Sequence, residues 1–174
     1  SKTENTSSGK TSSVAVSAPS NAVGKIYEQF LSPYKTSLNY NGIYIKNSTG
    51  LNINIKEELN STLEMKLAKT DSPQVLIVHT HATESYMMQD RNYYTASDKA
   101  RDKDNQKNVV KVGETMAEIL RSGGIGVIHD KTQHDYPQYN GSYGRSAATV
   151  KSYLSKNKDI KIVIDLHRDS ITVS

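Results

Sequence analysis

An α/β fold, with a mostly parallel sheet and helices on both faces, is predicted for this 174-residue chain by three observations. The run Val75-Leu76-Ile77-Val78 is continuous and apolar just after Pro73, the texture of a strand buried on both faces. Residues 160–166, IKIVIDL, repeat that texture. Between them two helical patterns alternate with a further apolar run, so the order reads β-α-β-α-β with right-handed crossovers.

Taken in order, residues 1–23 (SKTENTSSGKTSSVAVSAPSNAV) show no apolar periodicity and read as a flexible lead or stalk. Residues 24–174 read as the folded domain, beginning with an arm over 24–70. Within the arm a short helix is expected between Lys25 and Tyr34. Ile43 and Ile45, then Leu51, Ile53 and Ile55 after a Ser-Thr-Gly turn, alternate as two short strands or an extended segment. A helix is expected from Asn60 to Leu67. After the first sheet strand comes a polar stretch, 89–106. Asn108 then caps a helix with Val109, Val112, Met116, Ile119 and Leu120 on one face, and Gly123 and Gly124 end it. Residues 125–128, IGVI, form the second strand, Ser142 to Leu154 the second helix, and IKIVIDL the third strand.

Composition narrows the function classes. With no cysteine, a disulfide framework, a thiolate zinc site and a cysteine nucleophile are excluded, so a metal must use His and carboxylates. The net charge of +4 comes from 22 basic and 18 acidic residues without a Lys/Arg run, which argues against nucleic acid. No stretch approaches the roughly 20 apolar residues of a membrane span. No GxSxG elbow marks a serine hydrolase.

Ligands of parallel α/β sheets bind beyond the strand C-termini, and two of those ends carry histidines. VLIV runs into His79-Thr80-His81-Ala82-Thr83-Glu84, and IVIDL runs into His167-Arg168-Asp169. Two imidazoles and a carboxylate suffice for a catalytic zinc ion with one position left for water. In extended backbone His79 and His81 point to one face; His81, further out of the sheet, is the favoured ligand. The metal set is therefore His81, Glu84 and His167, with Asp104 competing with Glu84 for the acidic place. Glu84 and His79 are the candidate catalytic residues. Asp165 and Asp169 flank His167, and either suits its free ring N–H. His129, His134, Tyr136, Tyr139 and Tyr143 form a candidate substrate wall, and Arg145 a candidate partner for a substrate carboxylate.

VLIVHTHATESY, NVVKVGETMAEILRSGGIGVIHD, YNGSYGRSAATVKSYL and IVIDLHRDS together resemble stage II sporulation protein P, a cell-wall hydrolase family of endospore-forming bacteria. That family is similar in turn to zinc-dependent N-acetylmuramoyl-L-alanine amidases, which implies an amidase-like three-layer fold. It also implies a Zn²⁺ held by positions matching His81, Asp104 or Glu84, and His167. Further implied are cleavage of peptidoglycan at the amide joining glycan to stem peptide, cleavage of peptide cross-links, and action between the two sporulation membranes during engulfment. Stage II sporulation proteins D and M are the implied partners. The resemblance places a membrane anchor ahead of the domain and a catalytic glutamate beyond the last metal histidine. This chain holds neither, so the catalytic domain is expected to be C-terminally incomplete and this fragment poorly active. The other reading from the same residues is a peptidoglycan-binding scaffold with a vestigial metal site.

Overall fold

The computed structural model describes residues 18–27 and 36–169. Of these, residues 18–27 and 89–98 make one compact unit, and residues 36–88 and 99–169 another. In chain order the elements are β1 (Ala22–Lys25), β2 (Asn39–Tyr40), β3 (Ile43–Tyr44), α1 (Ile55–Asn60), β4 (Thr70–Val78), β5 (Tyr93–Thr95), α2 (Val109–Ser122), β6 (Ile125–His129), α3 (Ser142–Lys156) and β7 (Ile162–Asp165).

The larger unit is built on a small parallel sheet in the order β6-β4-β7. Val75 stands opposite Val127 on one side and Ile162 on the other, and Ile77 opposite His129 and Ile164. Branched and apolar residues at every position of 75–78 can be buried on both faces, and all four are. Val75 and Ile77 share one face and pack with Ala117 of α2 and Val127 of β6, joined by Met116, Leu120, Ile125, Ile162, Ile164 and Leu166. On the opposite parity, Thr80 just past β4 bonds through its hydroxyl to Ser146 of α3 at 2.6 Å. The predicted β-α-β-α-β order is present, with both strand pairs of the β6-β4-β7 sheet parallel.

α2 begins where the sequence places it: the Asn108 side chain accepts from the Val110 N–H at 3.0 Å, and Gly123 follows its last residue. The buried face is rotated from the expected one. Val109, Val110, Gly113 and Ala117 face inward, whereas Val112 and Ile119 stand 41% and 67% exposed. Apolar residues occur on both arcs of this helix, and the arc with Gly113 and Ala117 wins because small side chains let it approach the sheet. β4 starts before Pro73 rather than after it. Its register is irregular between Thr70 and Val75, which accommodates a residue without an N–H.

The arm departs furthest from expectation. β2 and β3 form an antiparallel hairpin closed by Asn41 and Gly42, both at positive φ (50° and 79°), the geometry of a type I′ turn. Residues 51–54 form no strand. Asn54 instead caps α1, its side chain accepting from the Glu57 N–H at 3.3 Å, so the helix lies over 55–60 and not 60–67. In the smaller unit β1 pairs antiparallel with β5, Ala22 opposite Thr95 and Lys25 opposite Tyr93. Ala22 and Val23, read as the end of the lead, therefore begin a strand, and the polar stretch 89–106 supplies its partner. The expected helix over 25–34 starts on a β1 residue, Lys25, and most of it, like residues 1–17, lies outside the described residues.

Candidate functional site

β4 stops at Val78, and the chain turns through residues 80–83 at the C-terminal edge of the sheet. The Thr80 N–H and hydroxyl donate to the Asp165 carboxylate at 2.8 and 2.6 Å, tying this turn to the end of β7. The Leu166 N–H donates to the Val78 carbonyl at 3.0 Å, so His167 leaves the sheet beside the turn. Main-chain pairing of two parallel strands thus brings two distant histidine segments together.

The His81 ring stacks on Tyr139 at 4.7 Å and meets His167 edge-on at 5.2 Å. The Tyr139 hydroxyl lies 3.1 Å from His81 Nε2 and the Ser142 hydroxyl 3.4 Å from Nδ1. His167 has its Nε2 3.2 Å from Asp165 Oδ2 and its Nδ1 3.7 Å from Glu84 Oε2. In its neutral form the ring donates from Nε2 to the nearer carboxylate, with Nδ1 then facing Glu84 as a lone pair. Burial pushes the Asp165 carboxyl up, but the two Thr80 hydrogen bonds and His167 outweigh it and hold the group below the usual carboxylate value. Glu84 Oε2 accepts from the Arg168 N–H at 2.7 Å, and Oε1 lies 3.8 Å from Arg101 Nη2. His81, Glu84 and His167 therefore occupy one place. Asp104 has other partners: in an exposed turn it accepts from the Gln106 N–H at 3.0 Å and pairs with Lys107 at 3.4 Å.

Two imidazoles and a carboxylate are the donor types that zinc takes, so the residues fit the ion in chemistry. As placed, each ring nitrogen of His81 faces a hydroxyl, and among the described residues no group of three His, Asp or Glu stands ready to grip an ion. The Tyr139 hydroxyl must yield Nε2, or Ser142 Nδ1, before His81 ligates.

His79 does not share a face with His81, because β4 ends at Val78 and the chain turns from residue 80. It is fully buried on the α2 side, where its Nδ1 donates to the Leu166 carbonyl at 3.1 Å and its Nε2 lies 2.9 Å from His129 Nε2. A carbonyl only accepts, so Nδ1 carries the proton, and His79 Nε2 accepts from His129 Nε2–H. His79 thus holds the peptide preceding His167 from beneath; it does not touch the His81–Glu84–His167 group. Burial, only partly offset by the hydrogen bond to the Leu166 carbonyl, lowers its pKa from 6.5 to about 4. Burial likewise lowers His129. Protons then bind the unfolded chain more readily than the folded one, so stability is full above pH 6.5 and is lost as pH falls from there toward 4. The largest share from His79 is about 3 kcal/mol. Asp165 acts in a separate, lower window, below the usual carboxylate value. Denaturant titrations from pH 7.5 to 4.5 should show this loss and its reduction in His79→Gln; a midpoint flat across that range contradicts the buried neutral pair.

The expected substrate wall divides. His129 and His134 turn inward: His134 Nδ1 donates to the His79 carbonyl at 2.8 Å and Nε2 accepts from the Thr149 hydroxyl at 2.9 Å. Tyr136, Tyr139 and Tyr143 remain outside. Arg145 holds the loop itself, donating to the carbonyls of His134 and Asn140 at 2.7 and 3.1 Å and to that of Gln138, which corrects its expected role as a substrate partner. Two residues carry weight that sequence reading missed. The buried Asp135 carboxylate accepts from the Thr83 hydroxyl at 2.6 Å and from Arg101 at 2.8 Å, and Arg101 lies over the Tyr139 ring at 4.6 Å. No local pattern marks either; their roles come from the loop's packing against the turn.

Residues 9–174 match the family model of stage II sporulation protein P. The chain belongs to that family. It is 38% identical over 106 residues to Stage II sporulation protein P of Bacillus subtilis (strain 168). The match covers 58% of this chain and 26% of that protein, so the chain spans about a quarter of the relative. No solved structure matches. The family resemblance read from the four segments is thereby borne out. No helix among the described residues is long and apolar enough to cross a membrane.

Proposed function

We propose that this chain contributes the metal site of a zinc-dependent peptidoglycan hydrolase of sporulation, cleaving the N-acetylmuramoyl-L-alanine amide and, secondarily, peptide cross-links. The observation that carries this reading is the meeting of His81, Glu84 and His167 at the C-terminal edge of the sheet in a stage II sporulation protein P chain. The fold around it, a parallel three-stranded sheet with helices, is read as amidase-like three-layer architecture. The working place is the space between the sporulation membranes, with stage II sporulation proteins D and M as partners and an anchor carried elsewhere in the whole protein.

His81, Glu84 and His167 would hold the zinc, which when bound supplies a Lewis acid and a water of lowered pKa. The chain's own residues prepare that site. Asp165 fixes the His167 tautomer so that a lone pair faces Glu84. The Arg168 N–H holds the Glu84 carboxylate in place beside it, with Arg101 3.8 Å away. His79 anchors the backbone that presents His167.

Ligand and orienter are separable. Glu84→Gln should weaken zinc binding more than about 100-fold and Asp104→Asn less than about 10-fold, since outer groups typically contribute about 10- to 100-fold. A chelator competition giving the reverse order transfers the acidic ligand to Asp104. The function itself is tested by incubating the zinc-loaded chain with purified sacculi and weighing the products: stem peptides with free L-alanine N-termini support the amidase. A second reading, the peptidoglycan-binding scaffold, is favoured by the hydroxyls engaging both His81 nitrogens. Binding to sacculi without zinc-dependent release would establish it instead.

A further inference from the structure

We propose that Lys103, seated on Tyr136 at the outer end of the tyrosine wall, is the subsite for a carboxylate of the peptidoglycan stem peptide. This rests on the peptidoglycan reading above and names the part of the substrate that the wall receives.

Tyr136, Tyr139 and Tyr143 stand 49%, 51% and 64% exposed, the first two on a firmly held loop and the third in the first turn of α3. The backbone beneath them is pinned by Arg145, by His134 and by Asp135, whose carboxylate also takes the Thr83 N–H at 3.2 Å. Rings fixed in advance lose little freedom when a ligand covers them.

Two cations lie on this surface, and their surroundings differ. Arg101 over Tyr139 is neutralised by Asp135 at 2.8 Å and lies 3.8 Å from Glu84. Lys103 Nζ lies 4.7 Å from the centre of the Tyr136 ring and donates to its hydroxyl at 3.3 Å; among the described residues no carboxylate pairs with it. The acids on either side are engaged elsewhere. Asp102 accepts from the Asp104 N–H at 2.9 Å, and Asp104 pairs with Lys107 at 3.4 Å. Lys103 thus lies against an aromatic ring with no carboxylate of the described residues paired to it, and Tyr139, three residues on from Tyr136, stacks on His81 at 4.7 Å.

A ligand with its amide at the His81–His167 pair and its chain lying over these tyrosines would bring a group further down that chain toward Lys103. The chemistry that suits the far end is an anion on a flexible, partly apolar backbone. An acidic peptide attached to a sugar by an amide has that arrangement: the amide at one end, free carboxylates along the other.

The test measures cosedimentation of the full chain with sacculi freed of phosphate polymers, and with the same sacculi after their carboxylates are converted to amides. Lys103→Glu should bind unmodified sacculi at least about 10-fold more weakly than the parent chain, with Lys103→Ala intermediate and Lys111→Ala unchanged. Amidation should weaken the parent chain and leave Lys103→Ala nearly unaffected. Circular dichroism of each variant confirms folding. Parent-like binding by folded Lys103→Glu, or equal weakening of parent and Lys103→Ala by amidation, overturns the subsite while leaving the hydrolase reading in place. Failure of the parent chain to bind unmodified sacculi overturns both.

Discussion

His81→Ala and His167→Ala should each bring zinc from about one ion per chain to near none under a competing chelator. The reason is the count of donors. Zinc in a catalytic site takes three protein ligands and a water, and losing one of three leaves a pair that exposed surface groups elsewhere can match. The loss should exceed the roughly 10- to 100-fold typical of removing an orienting neighbour. Asp165→Asn, which keeps a group at His167 Nε2 but removes its charge, belongs to that milder class. Elemental analysis of folded protein reads all three variants on one scale. Unchanged zinc in folded His167→Ala shows that the ion, if bound, sits elsewhere.

Gly113→Ala should destabilise the chain, against the ordinary trend. In an exposed helix interior alanine is favoured over glycine by about 1 kcal/mol. Here a Cβ at residue 113 would stand 2.7 Å from the Nε2 atoms of both His79 and His129. Neither ring can swing aside freely, because His79 is held by the Leu166 carbonyl and both lie in the interior. Overpacking of this kind typically costs about 1–3 kcal/mol, so the urea midpoint should fall. Displacing His79 also loosens the peptide before His167, and zinc affinity should fall with it, by less than in His167→Ala. A midpoint equal to or above the parent's contradicts the tight seat described for this pair.

The sheet and its two crossover helices were legible because their signals are local. Apolar residues at 75–78 and 162–164, the Asn108 cap and the Gly123-Gly124 stop each act within a few residues. The β1–β5 pair was not legible, since two strands of three and four residues, about seventy residues apart, become strands only by finding each other. The arm failed for a different reason: alternating Leu51, Ile53 and Ile55 imitate a strand, while the stronger signals were Asn41-Gly42 for a hairpin and Asn54 with Glu57 for a helix start. At the site, His81, Glu84 and His167 could be named because strand ends gather chemistry in parallel sheets. The separation of His79 from His81 could not, since it depends on β4 ending at Val78. Asp135 and Arg101 were invisible for the same reason that they matter: each joins segments that only the fold brings together.

Whether His81, Glu84 and His167 hold one metal ion is read by X-ray absorption at the zinc edge of the loaded chain. Four nitrogen and oxygen neighbours are expected at roughly 2.0–2.2 Å, with outer scattering from two imidazoles that drops to one in His167→Ala. A shell without imidazole scattering, or one that His167→Ala leaves unaltered, would show that they do not.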